Sequence, residues 1–264
     1  MTIRLGFRLT KWYLDAVSDT GEVFIGYQAH AALAGVSLQH ASILVSGPEG
    51  EVRTATTSTR AVAPALDSSG VRWSLPRLGL AGVWTPTAPA VSRGLLESPR
   101  GNVDWSCVVP AARVHLDLAE GHRLDGWGYA EVLELTIPPW RLPIAELRWG
   151  RFVAEGASLV WIDWKGALPL SFAAVGASPC TVAEVGESRV VLESPPATLV
   201  MSEPRIIRDG PLARTALSRV PLLRERLPVR MLQTHETKWL SRAVLEAGGA
   251  TREGWAIHEV VRWP

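Results

Sequence analysis

Asp125-Gly-Trp-Gly-Tyr-Ala-Glu-Val132 and Glu253-Gly-Trp-Ala-Ile-His-Glu-Val260 are two versions of one segment, set 128 residues apart in a chain of 264. Both read acidic-Gly-Trp-small-x-x-Glu-Val. A second pair lies near the other end of each half. Lys11-Trp12 leads to Val23-Phe-Ile-Gly-Tyr27, and Arg148-Trp149 leads to Val160-Trp-Ile-Asp-Trp164, at an offset of 137. Each half opens with a basic-Trp strand and closes with a Gly-Trp strand that carries a glutamate. Self-similarity at half the chain length is the mark of a duplicated structural unit. The sequence therefore predicts two similar β units in tandem, an arrangement suited to enclosing a ligand cavity.

Working outward, the neighbouring segments also read as strands. Alternating or β-branched and aromatic stretches recur from residue 2 to residue 136, separated by turns such as Asp19-Thr-Gly21, Gly47-Pro-Glu-Gly50 and Asp67-Ser-Ser-Gly70. This spacing predicts antiparallel meanders, and the absence of intervening long helices argues against a parallel α/β sheet. Ile137-Pro-Pro-Trp-Arg-Leu-Pro143 divides the halves, because three prolines in seven residues cannot continue a central strand. The expected units are residues 1–137 and 138–264. Strands resume near 145, and residues 210–247 carry helical patches, Pro211-Leu-Ala-Arg-Thr-Ala-Leu-Ser-Arg219 and Lys238-Trp-Leu-Ser-Arg-Ala-Val-Leu-Glu246, with Gly248-Gly249 as a helix stop before the last strand.

Composition narrows the function classes. Apolar residues make up 47% and charged residues 20% of the chain, which fits a globular protein able to bury a core. A formal net charge of +1 gives no global field directed at nucleic acid. The N-terminus alternates like a strand and lacks the apolar run of a signal peptide, and no stretch has the length of a membrane span. A cytoplasmic protein without an integral membrane segment is expected. Two cysteines and six histidines in no ligand spacing give no reason to propose a metal, and no phosphate-cradling glycine motif points to a nucleotide cofactor. The expectation is no metal and no cofactor. Residues 203–230 hold seven arginines against three acidic residues, which reads as a solvated helix face or as a surface for an anionic partner.

The repeated strand carries the chemistry. Alternation puts Trp127, Tyr129 and Glu131 on one face, and Trp255, Ile257 and Glu259 on one face of the second copy. A glutamate in an aromatic stripe is either held in an ion pair, with Arg148 or Arg4 as a partner, or has a raised pKa suited to a general acid. Departures between the copies mark further candidates: Asp163 where the first half has Gly26, and His258 where it has Ala130. His40 is a polar residue inside an apolar strand. The proposed acid is Glu131 or Asp163, with Tyr129 and His40 orienting or relaying a proton. Trp127, Trp161 and Trp164 are the candidate ligand-lining residues, able to steady a developing cation by π contact.

Thr10-Lys-Trp-Tyr-Leu-Asp-Ala-Val-Ser-Asp-Thr-Gly-Glu-Val-Phe-Ile-Gly26 resembles the opening strand pair of the carotenoid 1,2-hydratase and AttH-like family. Gly126-Trp-Gly-Tyr-Ala-Glu131, with the proline-rich stretch and Arg148-Trp-Gly-Arg-Phe152, is similar to its mid-chain junction, and Gly254-Trp-Ala-Ile-His-Glu259 to its closing strand. Lys11 departs from the acidic residue common there. The resemblance implies an all-β fold of two tandem lipocalin-like antiparallel β-barrels, with short helices before the last strand. It also implies a large apolar small molecule as ligand (isoprenoid, lipid or polyketide-like) and cofactor-free hydration, isomerisation or cyclisation. A non-catalytic carrier of such molecules is the alternative.

Overall fold

A computed structural model describes residues 6–33, 35–214 and 227–264. The chain is all-β and separates into two compact units, one ending at Pro139 and the other beginning at Trp140.

The first unit contains β1 (Arg8–Val17), β2 (Val23–Leu33), β3 (Val36–Ser46), β4 (Val52–Thr57), β5 (Ala65–Asp67), β6 (Gly70–Leu75), β7 (Leu80–Pro86), β8 (Val91–Leu96), β9 (Val103–Asp117) and β10 (Arg123–Leu135). These form one antiparallel sheet in the order β4-β3-β2-β1-β10-β9-β7-β6-β5, with β8 added to the long β9. One face packs a core that includes Leu14, Phe24, Trp73, Trp84, Val114 and Leu124. Its large indoles are satisfied internally, as buried polar groups must be. Trp84 Nε1 donates to the Asp15 carbonyl at 2.8 Å, and Trp73 Nε1 to the Val62 carbonyl at 2.9 Å. Gln28 Nε2 donates to the Ala61 carbonyl at 3.1 Å, so the connection from β4 to β5 is tied back to the sheet.

The second unit is a closed antiparallel barrel of eight strands: β11 (Ile144–Ala154), β12 (Ala157–Gly166), β13 (Leu170–Val175), β14 (Ser178–Val185), β15 (Arg189–Ser194), β16 (Pro196–Pro211), β17 (His235–Ala247) and β18 (Ala250–Arg262). Closure removes the exposed edges that an open sheet must protect. Its interior packs Phe152, Leu159, Trp161, Leu199 and Leu245. Gly150 makes room for this packing, because a Cβ there would lie 2.1 Å from the Trp161 ring.

The structure corrects two readings. The patch Lys238–Glu246 is part of β17 and not a helix. Its buried positions Glu236, Lys238 and Leu240, then Ser241, Ala243 and Leu245, follow a two-residue period on each face, and the Leu-Ala-Val spacing imitated a helical one. Gly248-Gly249 is the tip of the β17–β18 hairpin, with φ of 58° and 77°, as a tight two-residue turn requires. The described helix before the last two strands is short, Val229–Gln233. Residues 215–219 of the other helical patch, with Arg219, Arg224 and Arg226, lie outside the described residues. Within the arginine-rich segment, Arg208 pairs with Glu236 at 3.4 Å, and Arg230 donates to the carbonyls of Trp140 and Ile144 at 3.3 and 2.9 Å.

Candidate functional site

The register of β1, β2, β9 and β10 builds a polar cluster on the face of the first sheet opposite its core. Tyr13 pairs across with Glu131 on one side and Tyr27 on the other, and Glu131 stands opposite Cys107. Alternation puts Tyr129 and Glu131 on the same side, and irregularities in the β9–β10 ladder between Gly128 and Glu131 set which β9 residues stand opposite them. Tyr129 Oη donates to Glu131 Oε2 at 2.6 Å, and Trp105 Nε1 donates to the same oxygen at 2.6 Å. Trp105, Cys107 and Tyr129 are buried, whereas Glu131 is only half-buried.

Burial pushes the Tyr129 hydroxyl well above its ordinary range, and the neighbouring Cys107 and Glu131 push it further. Burial likewise raises the Cys107 thiol. Both remain protonated at neutral pH, and Tyr129 is a permanent donor to the carboxylate. Tyr13 packs edge-on against Tyr27 and Tyr129, with ring centroids 5.3 and 6.1 Å away. Lys11 Nζ lies 5.1 Å from the centre of the Tyr27 ring. Asp15, fully buried, pairs in register with Tyr129 and adds a second carboxyl-bearing residue to this face.

The predicted residues distribute unevenly. Glu131 and Tyr129 are brought together. His40 shares their face but lies on β3, three strand spacings or about 14 Å across the sheet from β10. It meets Ser58 Oγ at 3.3 Å, and burial lowers its pKa. Trp127 is covered by Arg113, whose guanidinium lies 3.8 Å from the ring centre. Asp163 belongs to the second unit and accepts from the Ser171 hydroxyl. Trp161 is inside that barrel, whereas Trp164 is on the opposite face and donates to the Leu168 carbonyl at 2.8 Å, so these two rings cannot line one surface. Trp105, Cys107, Asp15, Tyr13 and Tyr27 were not singled out from sequence, because what joins them is cross-strand register.

The repeat is real in its closing strand and shifted by one residue in its opening strand. Glu131 pairs with Tyr13, and Glu259 pairs with Trp149. Tyr13 is thus the counterpart of Trp149, and Trp12 that of Arg148. Aligning the two tryptophans would put them on opposite sheet faces. The closing strands match closely: Arg242 lies 3.9 Å over Trp255, as Arg113 lies over Trp127.

The two glutamates have different company. Glu259 is ion-paired to Lys238, a residue 1% exposed, rather than to Arg148. Glu236 stands 3.9 Å from the same ammonium, and the Trp149 ring centre lies 5.2 Å from it. Arg4 lies outside the described residues. His258, the counterpart of Ala130, is 6% exposed, stacks on Trp239 at 5.2 Å and meets Ser241 Oγ at 2.9 Å. Burial, reinforced by Lys238, lowers its pKa to about 4. A shallow groove of about 270 Å³ on the first unit, lined by Val83, Thr85, Arg113, His115 and Asp125 among others, is separate from the Glu131 cluster. Among the described residues no group of His, Cys, Asp and Glu side chains is arranged to hold a metal ion.

Two antiparallel β units in tandem, one closed as an eight-stranded barrel, define a lipocalin-like all-β class. Solved structures share this fold over nearly the whole chain. A provisionally assigned AttH from Nitrosomonas europaea aligns with a TM-score of 0.58 at 12% identity, covering 98% of this chain and 93% of its own. CghA, solved also with Sch210972, aligns in that complex at 0.58 with 10% identity, covering 97% and 88%. Kievitone hydratase from Nectria haematococca aligns at 0.54 with 10% identity, covering 97% and 89%. The resemblance read from the sequence therefore holds at the level of fold. No protein-family model matches the chain, and no curated protein matches it by sequence.

Proposed function

We propose that this protein binds a large apolar molecule against the Tyr13–Tyr27–Glu131 face of its first unit and transforms it by cofactor-free acid–base chemistry. The observation that carries the reading is the pair of 2.6 Å hydrogen bonds from Tyr129 and Trp105 to one oxygen of a half-buried glutamate. Two donors on one oxygen stabilise the carboxylate and fix its direction, as a general base requires. Glu131 is then a general base first. In a hydration it takes a proton from water as the water oxygen bonds to an electron-poor alkene carbon. The protonated Glu131 then returns that proton to the adjacent carbon, so water is added across the double bond. Proton abstraction and return at two carbons of a substrate gives isomerisation by the same group. Tyr27, partly accessible and packed edge-on against the buried Tyr13, supplies an aromatic face for the apolar body. The name kievitone hydratase, attached to a protein of the same fold, supports the choice of reaction class.

The test begins with native mass spectrometry of the protein from its own host and identification of the bound molecule. Turnover of that molecule is then measured in Glu131→Gln and Tyr129→Phe. A loss of two orders of magnitude or more in Glu131→Gln, with binding retained, is the expected result for a general base. Undiminished turnover in Glu131→Gln overturns the assignment. A bound molecule that is never converted favours a carrier.

A further inference from the structure

The face that carries Glu131 continues, row by row, to the tip of the β2–β3 hairpin. The row Ser42–Tyr27–Tyr13–Glu131 is followed by His40–Ala29–Lys11–Leu133, then by Leu38–Ala31–Leu9–Leu135, and the hairpin closes with Val36–Leu33. Alternation puts all of these side chains on one side of the sheet. Beyond the aromatic row the track is apolar apart from His40 and Lys11.

Its end is exposed: Leu33 and Val36 show 46% and 61% of their surface. A hydrogen bond of 2.7 Å between His30 and Ser37 braces the tip. From Val23 to Pro48 the chain carries no Asp, Glu, Lys or Arg. Among the described residues β4 pairs β3 only over Ala41–Ser46, so Val36–His40 forms an open edge. Open edges in soluble proteins are ordinarily guarded by charge or proline, and this one has neither. The charge on the track nearest the tip is the cation Lys11; Arg8, paired in register with Ala32, stands beside the hairpin on the reverse face of the sheet.

An apolar tip backed by cations and free of carboxylates fits an anionic lipid surface, where the apolar side chains sit among the acyl chains and the cations among the headgroups. We infer that the β2–β3 hairpin tip docks on an anionic bilayer surface and that the apolar ligand, dissolved in that bilayer, reaches Glu131 along the Leu33–Leu9–Tyr27 face. The docking stands on the hairpin alone; the route to Glu131 rests on the function proposed above. The ligand class it names is a membrane-dissolved lipid.

Flotation with vesicles of phosphatidylcholine and phosphatidylglycerol tests the docking. Wild-type protein is expected to float. The double variant Leu33→Asp/Val36→Asp is expected to bind about tenfold less or weaker still, while Val229→Asp, at an exposed apolar site of the other unit, floats as wild type. Thermal melts of both variants establish that they are folded. Failure of the wild type to float, or equal flotation of the double variant, overturns the docking. A wild type that floats but carries no ligand leaves the docking intact and counts against the proposed function. A ligand bound equally fast from detergent and from vesicles by the double variant overturns the route.

Discussion

Glu131 and Glu259 occupy equivalent places on β10 and β18; Glu131 accepts from Tyr129 and Trp105, and Glu259 has the buried cation Lys238 against it. Removing its charge leaves Lys238 to Glu236 at 3.9 Å. Glu259→Gln is therefore expected to cost about 3 kcal/mol of stability, whereas Glu131→Gln keeps an acceptor for both donors and costs about 1 kcal/mol or less. Urea unfolding of the two variants checks this, and equal losses would contradict the assigned environments. His258 makes a second residue-scale prediction. Its folded pKa of about 4 lies below the ordinary value of 6.5. Between these values the unfolded chain binds a proton that the folded one refuses. The stability tied to His258 is thus fully present above pH 6.5 and falls as pH drops toward 4, by about 3 kcal/mol in total. His258→Gln should flatten the stability–pH curve in that window. The glutamate and tyrosine of the cluster were legible from their own strand, because alternation places them on one face. Trp105 and Cys107 were not, since a cross-strand partner is set by register, and register here includes a bulge.

At the scale of elements, the strands were legible wherever the two-residue period was clean. It misled where small residues blurred it. In β17, Ala243 and Val244 gave a spacing compatible with a helix, and only the barrel, which buries alternate residues of the strand on each side, decides for the strand. The opening strands show the opposite failure. Lys11-Trp12 and Arg148-Trp149 look alike as letters, yet their ladders place them one residue out of step, so the first tryptophan meets the core and the second meets Lys238. Close approach of elements supplies a further prediction. Gly150→Ala would put a methyl 2.1 Å from the Trp161 ring. The expected cost is about 1–3 kcal/mol, with altered Trp161 packing, read by thermal melts and near-ultraviolet circular dichroism. A neutral substitution would show that the ring moves aside freely.

For the molecule as a whole, the all-β class was legible from turn spacing. The sequence offered no sign that the first unit's ladders run in an open order while the second's close on themselves, because closure depends on how far sheet curvature accumulates and not on any one motif. The two free thiols provide a whole-chain check. Cys107 is fully buried and Cys180 is partly accessible, one in each unit. A thiol reagent should titrate one group in the native protein and both after denaturation; two fast groups in the native state would mean that the first sheet opens at β9. The unequal company of the two glutamates has a consequence for ancestry. On the function proposed above, the copy held by Lys238 answers to folding, while its sibling answers to a ligand. Under two such masters the halves diverge at different positions, which leaves a kinship written in backbone pairing and in very few letters.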